Sequence, residues 1–580
     1  MFVFDIISRS LPYLSNRIRL LCWLCLLIFC TNTEAEDNDC EIRYRNVVAE
    51  SAIDFVHNSP ITQKKHLHLF MGSGTAWLDY DCDGWSDLFI CQGQPWSNSE
   101  NNFKSKNSPL DVSDRLYRNL GNGKFRDVTS DCGLINDGYS MGVCVGDYNN
   151  DGFPDLYVSR FEANQLYLNL GDGSFVDVTE PSGTSDDSYG AGCTWGDVDN
   201  DGLLDLFIVN YLQIEPQDYP LCKAEGGNGE LFAGCHPRFL KGKQDILFRN
   251  QGNGRFEQVT KQSGLEVGDA LQGLGVVAVD FDNDSDLDFY VANDSVPNQL
   301  WTNTGKGHFV EEGLLAGLGV NRSGIHEAGM GIAAGDYNGD GRCDVFVTNF
   351  FGETNTLYRN DDFYFTDVTS EERLSAVSLR RLGFGTNFLD ADNDGWLDLF
   401  VANGHIHNHY AEIDRDEPYK QVPQLFRNLA GKGFTEISSR AGLYFAEPTL
   451  GRGSALADYD RDGRVDLAIC QLNSPVALLH NETEGAGHYI ALRLIGVKSN
   501  RNGIGARVSV ETNERTNAFW KFNSSSYLSC DEAILHVGLR EHEEIQNVIV
   551  SWPGGHQEIW SDLVIDNRYN LVEGRGKTIP

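Results

Sequence analysis

The sequence predicts an all-β fold: a seven-bladed β-propeller with calcium-binding loops, followed by a small β-rich C-terminal domain. Three observations predict it. A nine-residue acidic loop, D-x-[DN]-x-D-G-x-x-D, occurs seven times. A two-stranded hairpin pattern recurs between the loops, as in Leu116-Tyr117-Arg118-Asn119-Leu120-Gly121-Asn122-Gly123-Lys124-Phe125-Arg126-Asp127-Val128-Thr129. Loop starts lie 68, 50, 83, 56, 54 and 68 residues apart, and a four-stranded unit repeated at periods near about 50 residues is the signature of propeller blades.

The loops carry the chemistry. Their candidate ligands, at positions 1, 3, 5 and 9, are Asp79, Asp81, Asp83 and Asp87; Asp147, Asn149, Asp151 and Asp155; Asp197, Asp199, Asp201 and Asp205; Asp280, Asp282, Asp284 and Asp288; Asp336, Asn338, Asp340 and Asp344; Asp390, Asp392, Asp394 and Asp398; and Asp458, Asp460, Asp462 and Asp466. All are hard oxygen donors, and a glycine at position 6 permits the sharp turn that wraps them around one point. Position 7 would add a backbone carbonyl. That donor set suits calcium, up to seven structural Ca²⁺ in all. A plain turn has no use for the crowding, since two like charges about 4 Å apart cost roughly 4 kcal/mol at an effective dielectric near 20. An EF-hand would need a glutamate at position 12 and helical flanks; here the flanks read as strands, such as Leu156-Tyr157-Val158. The fourth loop has Ser285 in place of glycine and an extra Asp286, so it is expected to be weak or distorted.

The hairpins return at Leu166–Thr179, Leu247–Thr260, Leu300–Glu312, Leu357–Thr369 and Leu425–Ser438. Each alternates apolar and polar residues around a Gly or Asn turn. There are seven loops but six complete hairpins, and the missing halves lie at the two ends: residues 42–48 and Leu478-Leu479-His480-Asn481. The N-terminal strand is therefore expected to complete the last blade and close the ring, which hides edge strands. The boundaries read as 1–35 for a signal peptide, 40–482 for the propeller and 486–575 for the C-terminal domain. Glycines before the loops, such as Gly142, Gly275, Gly331 and Gly385, fit inner strands crowded at a central axis.

Bulk composition narrows the function. The formal net charge of −38 excludes nucleic acid and anionic lipid as natural partners. Arg17 and Arg19 precede an apolar run from Leu20 to Cys30, which is short for a membrane span, so the segment reads as a secretory signal, with an uncleaved anchor as the alternative. No later segment is apolar enough to span. The expected location is secreted, periplasmic or at the cell surface. Beyond residue 35 there are 11 cysteines, an odd number, and Cys222 with Cys235 is the best local disulfide candidate. Asn283, Asn293, Asn321, Asn481 and Asn523 lie in glycosylation sequons.

Taken as a set, the loops resemble the FG-GAP (VCBS-type) repeats of integrin α-chain propellers. Asn502-Gly503-Ile504-Gly505-Ala506-Arg507-Val508, Ser526-Tyr527-Leu528-Ser529, Leu535-His536-Val537-Gly538-Leu539 and Val550-Ser551-Trp552-Pro553-Gly554-Gly555 resemble the ASPIC/UnbV domain. Together the two modules resemble the cartilage acidic protein 1 family. The resemblance implies an extracytoplasmic, calcium-binding propeller with adhesion or recognition functions, and no known reaction. A cysteine-rich EGF-like module, carried by some animal members, is not seen after the ASPIC/UnbV-like stretch.

Two function classes follow. The first is a binding module whose acidic loops cluster on one face and whose insertions at 91–115, 211–245 and 404–423 form a recognition surface for an extracellular protein or glycan. The second is a calcium-dependent lyase acting on an acidic polysaccharide, with His405, His407 and Tyr410 as candidate catalytic groups. In a strand, His405, His407 and His409 would share one face; the plainer reading is a polar surface loop. The sequence has no phosphate-binding glycine loop, no Gly-x-Ser-x-Gly and no His-Glu-x-x-His.

Overall fold

The structure, a computed structural model, describes residues 40–579 apart from 95–112, 135, 137, 215–217, 225–230, 267, 409, 411–415 and 542–543. The signal-peptide reading of residues 1–35 and most of the 91–115 insertion fall outside the described residues. Residues Ile42–Pro580 form one compact unit.

Each acidic loop joins two antiparallel strands, and its last aspartate begins the second of them. The closing pairs are Leu78↔Asp87, Gly146↔Asp155, Gly196↔Asp205, Val279↔Asp288, Gly335↔Asp344, Leu389↔Asp398 and Ala457↔Asp466. Each second strand pairs with the Leu-x-x-Asn strand of the hairpin, and in six sheets that strand pairs with the short Phe-x-[DEQ] strand, as in Leu156↔Tyr167 and Tyr167↔Asp177. The recurring Asp-x-Thr explains itself here. Asp127 Oδ1 accepts the N–H and the hydroxyl of Thr129, whose Oγ1 accepts the Leu116 N–H and locks the hairpin.

Among the described residues there are seven four-stranded sheets of this kind. The seventh is completed by Tyr44–Asn46, which pairs antiparallel with Ala477–Asn481. The N-terminal strand thus closes the ring as expected. The first strands of successive sheets pack side by side, and the last, Gly451–Ala457, packs on the first, Thr75–Leu78. Glycine makes this possible: a Cβ on Gly331 would lie 2.0 Å from the Phe384 carbonyl oxygen, and one on Gly385 2.4 Å from that of Arg452.

Hydrogen bonds trace the ring independently. The amide nitrogen of each hairpin asparagine donates to the backbone carbonyl at loop position 2 of the preceding sheet: Asn169 to Tyr80, Asn250 to Tyr148, Asn303 to Val198, Asn360 to Phe281, Asn428 to Tyr337, Asn481 to Ala391 and, closing the circle, Asn119 to Tyr459.

The C-terminal residues build a three-stranded sheet and a five-stranded sheet around Ile490, Leu492, Val508, Val550 and Trp552. These residues have a core of their own but do not stand apart. The segment between Thr516–Trp520 and Ile534–Arg540 runs into the axis of the ring. Ser526 exchanges backbone hydrogen bonds with Ile332, the Leu528 carbonyl accepts from Val143 N–H, and Cys530 exchanges bonds with Thr75 and Trp77. Asn523 reaches Thr194 and Val145, and Asp531 accepts the Leu456 N–H. Thr386 N–H donates to Ser526 Oγ, so six of the seven first strands are bonded to this one segment.

Candidate metal centres

All seven loops adopt one backbone. Position 6 has positive φ throughout, from 75° at Ser285 to 99° at Gly152. Its N–H donates to Oδ2 of the first aspartate in every copy. Ser285 thus keeps the loop geometry while holding a φ that a β-carbon disfavours. The fourth loop is strained rather than misfolded.

The ninth-position aspartates are at 1% exposure or less. Oδ1 of each accepts the N–H of the hairpin asparagine at 2.7–2.8 Å. One carboxylate oxygen from each of Asp79, Asp81 and Asp87 lies within 4.8 Å of the other two, and Asp197, Asp199 and Asp205, Asp280, Asp282 and Asp288, and Asp390, Asp392 and Asp394 form like groups. Burial first, then the neighbouring carboxylates, raises the pKa of Asp79, Asp87, Asp147, Asp197 and Asp280 against the pull of backbone N–H donors. Asp87 is pushed up to about 8, Asp197 and Asp280 to about 7, and Asp147 to about 6. Asp205, Asp288 and Asp344 go well above the carboxylate range.

The donor set fits a hard dication. Asp199 Oδ1, Asp458 Oδ1 and Asp466 Oδ2 are buried without hydrogen-bond partners. Buried oxygens of this kind cost about 1–3 kcal/mol each when left unpaired. A calcium ion would be held by the carboxylates at positions 1, 3, 5 and 9, or by the amide oxygens of Asn149 and Asn338. It would supply the positive charge that keeps those carboxylates ionised.

Cationic side chains also reach the loops, and sequence reasoning passed over them. Arg118 ion-pairs with Asp81 at 2.6 Å and Asp83 at 2.9 Å, and Arg427 with Asp392 at 2.7 Å. Both immediately precede the hairpin asparagine, so a basic residue at that fixed offset was the available signal.

The C-terminal sheets cover the acidic face. Arg493 stands 3.7 Å from Asp79, and Asn502 Oδ1 accepts the Asp147 N–H. Arg507 donates to the Gly341 carbonyl and Arg515 to that of Asp394. Arg568 pairs with Asp458 at 2.6 Å, and His536 Nε2 lies 3.0 Å from Asn393 Oδ1. At the third and fourth loops the approach is by backbone: a Cβ on Gly202 would sit 2.5 Å from the Lys498 carbonyl oxygen, and one on Gly555 3.3 Å from Ser285.

The insertions leave second strands at the end opposite the loops. Cys222 and Cys235 form the expected disulfide within the 211–245 insertion. The histidine run does not continue a strand, because Asp398–Asn403 ends before it. His405 is fully buried, its ring 5.4 Å from Phe350 and 5.7 Å from Phe351, and 3.6 Å from Glu417. Tyr410 is buried against His405 and His407. His409 lies outside the described residues. Among the sequons, Asn293, Asn481 and Asn523 are buried.

Comparison with known proteins agrees with this architecture. The FG-GAP-like repeat matches at 79–158, 155–208, 230–291, 280–347, 336–401 and 390–469, more than half of the chain. The chain belongs to the FG-GAP-like repeat family. Residues 496–578 match ASPIC and UnbV, so this FG-GAP-like chain carries the second module as well. Cartilage acidic protein 1 of Xenopus tropicalis is 26% identical over 313 residues, 52% of this chain and 44% of the relative. The Homo sapiens protein of that name is 26% identical over 295 residues, 49% of this chain and 41% of the relative. The chain thus spans less than half the length of these curated relatives. A solved Agrocybe aegerita lectin is similar over 63% of this chain and 79% of its own, at 15% identity and a TM-score of 0.34. Among the described residues no helix is long and apolar enough to cross a membrane.

Proposed function

We propose that the chain is an extracellular, calcium-binding recognition module that offers its insertion-bearing face to a protein or glycan. One observation carries the reading: the acidic face and the ring axis are filled by the chain's own C-terminal segment. The candidate surface is then the far face, where the described ends of the 91–115, 211–245 and 404–423 connections leave their strands. Calcium is structural in this reading. It neutralises the crowded loops and stiffens the strand pairs and the asparagine bridges that depend on them. The FG-GAP-like repeats and the cartilage acidic protein relatives support an extracellular setting. The Cys222–Cys235 disulfide fits an oxidising compartment. Burial of His405 and Tyr410 weighs against the lyase reading, which called on both.

The test is thermal melting of the chain from residue 36 onward, titrated with Ca²⁺ against EGTA and Mg²⁺, with bound calcium counted. Calcium at about 100 times its Kd stabilises by about 2.7 kcal/mol per independent site, so several filled loops raise the melting temperature by many degrees. No calcium-specific rise and no bound calcium would overturn the structural-calcium reading. A glycan and extracellular-protein array probed with wild type and with a chain lacking 218–236 tests the face; binding unaffected by that deletion would point away from the 211–245 insertion.

A further inference from the structure

We propose that the seventh loop, residues 458–466, is a mixed nitrogen–oxygen site for a transition-metal dication of the zinc class, with His480 as its nitrogen ligand. The proposal rests on the calcium reading only for its contrast with the other six loops.

The residue before the hairpin asparagine reaches a loop carboxylate of its own sheet in the first, sixth and seventh sheets: Arg118 at Asp81, Arg427 at Asp392, and His480 at Asp460 and Asp466. It is Arg118, Leu168, Arg249, Thr302, Arg359 and Arg427 in the first six sheets and His480 in the seventh. Only histidine among these is a metal ligand. His480 Nδ1 lies 3.2 Å from Asp466 Oδ1 and 3.5 Å from Asp460 Oδ2, and Nε2 lies 4.0 Å from Asp462 Oδ2. Bonds of about 2.0–2.1 Å in a tetrahedron put ligand atoms about 3.3 Å apart, close to the two Nδ1 separations.

Two oxygens of this loop are spare where their counterparts are not. In the other six loops Oδ2 of the ninth-position aspartate accepts the N–H of position 2, at 3.0–3.3 Å. Asp466 is fully buried, yet its Oδ2 has no partner, and Asp458 Oδ1 is likewise buried and unpartnered. Other oxygens are already taken. Arg568 Nη2 binds Asp458 Oδ2 at 2.6 Å, and Arg464 binds Asp462 Oδ2. A loop with fewer oxygens and an imidazole is poorly matched to calcium, which takes six to eight oxygen ligands. It is well matched to a four-coordinate ion that accepts nitrogen. The competing account is that a protonated His480 is itself the cation of this loop.

The experiment adds Zn²⁺, and separately Co²⁺, to the chain held in saturating Ca²⁺, and compares wild type with His480→Gln. Both proteins are first checked for the same calcium-dependent melting. Wild type should take up one more zinc equivalent than the variant, with at least a ten-fold affinity difference at that site. With Co²⁺ it should show the visible absorption of a tetrahedral ion that the variant lacks. Equal zinc uptake by the two proteins, or cobalt spectra that do not differ, would overturn the proposal and leave His480 as a built-in cation. Should the variant melt differently in calcium, His480→Arg, the side chain found in four sister sheets, takes its place in the comparison. A histidine-dependent zinc site in a chain that binds no calcium would sink the calcium reading and leave this one standing.

Discussion

At the scale of single residues, sister sheets act as controls for one another. Asp245 Oδ1 accepts the Asn210 N–H at 2.8 Å, a bond made by Asn164, Asn298 and Asn355 in three other sheets. Burial raises the Asp245 pKa to about 7. Because the folded chain keeps this proton to a higher pH than the unfolded one, stability falls as pH rises from about 4 towards 7, and the loss is complete above that. Asp245→Asn keeps the acceptor without the charge. It is expected to raise stability in urea at pH 8, with the gain vanishing at pH 4; an equal effect at both values would refute the assignment. Ser285 offers a second control. Its φ of 75° costs about 1 kcal/mol that glycine avoids in the other six loops. Ser285→Gly should therefore raise the melting temperature by a few degrees, in calcium and in EGTA alike, since the strain resides in the backbone.

At the scale of elements, the axial segment decides how the two modules relate. Tyr527 is fully buried, its ring 5.0 Å from Phe384. Its hydroxyl has no hydrogen-bond partner. Tyr527→Phe should be neutral or slightly stabilising, whereas Tyr527→Ala should cost about 3–5 kcal/mol in chemical denaturation. Similar losses from both would mean the hydroxyl, not the ring, is what the axis needs. This element also marks where the sequence stops being legible. The acidic loops, the hairpins and the closing strand were readable because each is a local pattern repeated in register. The axial contacts join residues such as Thr75 and Ser529, 454 positions apart, and Ser525-Ser526-Tyr527 has no periodicity that announces a channel filling. The burial of His405 is illegible for a related reason. A polar, histidine-rich run reads as a surface loop, or in a strand as one face, whereas the chain leaves the sheet after Asn403 and packs the His405 ring against Phe350 and Phe351.

At the scale of the whole molecule, seven acidic loops, seven asparagine bridges and one axial segment are a single mechanical system. Each bridge starts from an asparagine whose own N–H is held by a ninth-position aspartate, and ends on the carbonyl of the neighbouring loop. A cation that orders one loop therefore steadies the acceptor of the next sheet's bridge. Asn250→Ala removes the donors to Tyr148 O and Leu204 O together. With two buried acceptors left unpaired, it should cost about 2–4 kcal/mol and weaken calcium binding at the second and third loops. The C-terminal arginines add a second linkage, because they hold their sheets against the acidic loops themselves. The ring and the C-terminal sheets should then unfold together. Calorimetry in calcium is expected to give one peak whose calorimetric and van't Hoff enthalpies agree, displaced downward as one peak in EGTA. Two peaks in calcium, with the lower one matching an isolated 486–580 fragment, would show that the axial segment is a loose tether and that the acidic face opens on its own. The partner-binding surface would then have to be sought there rather than on the insertions.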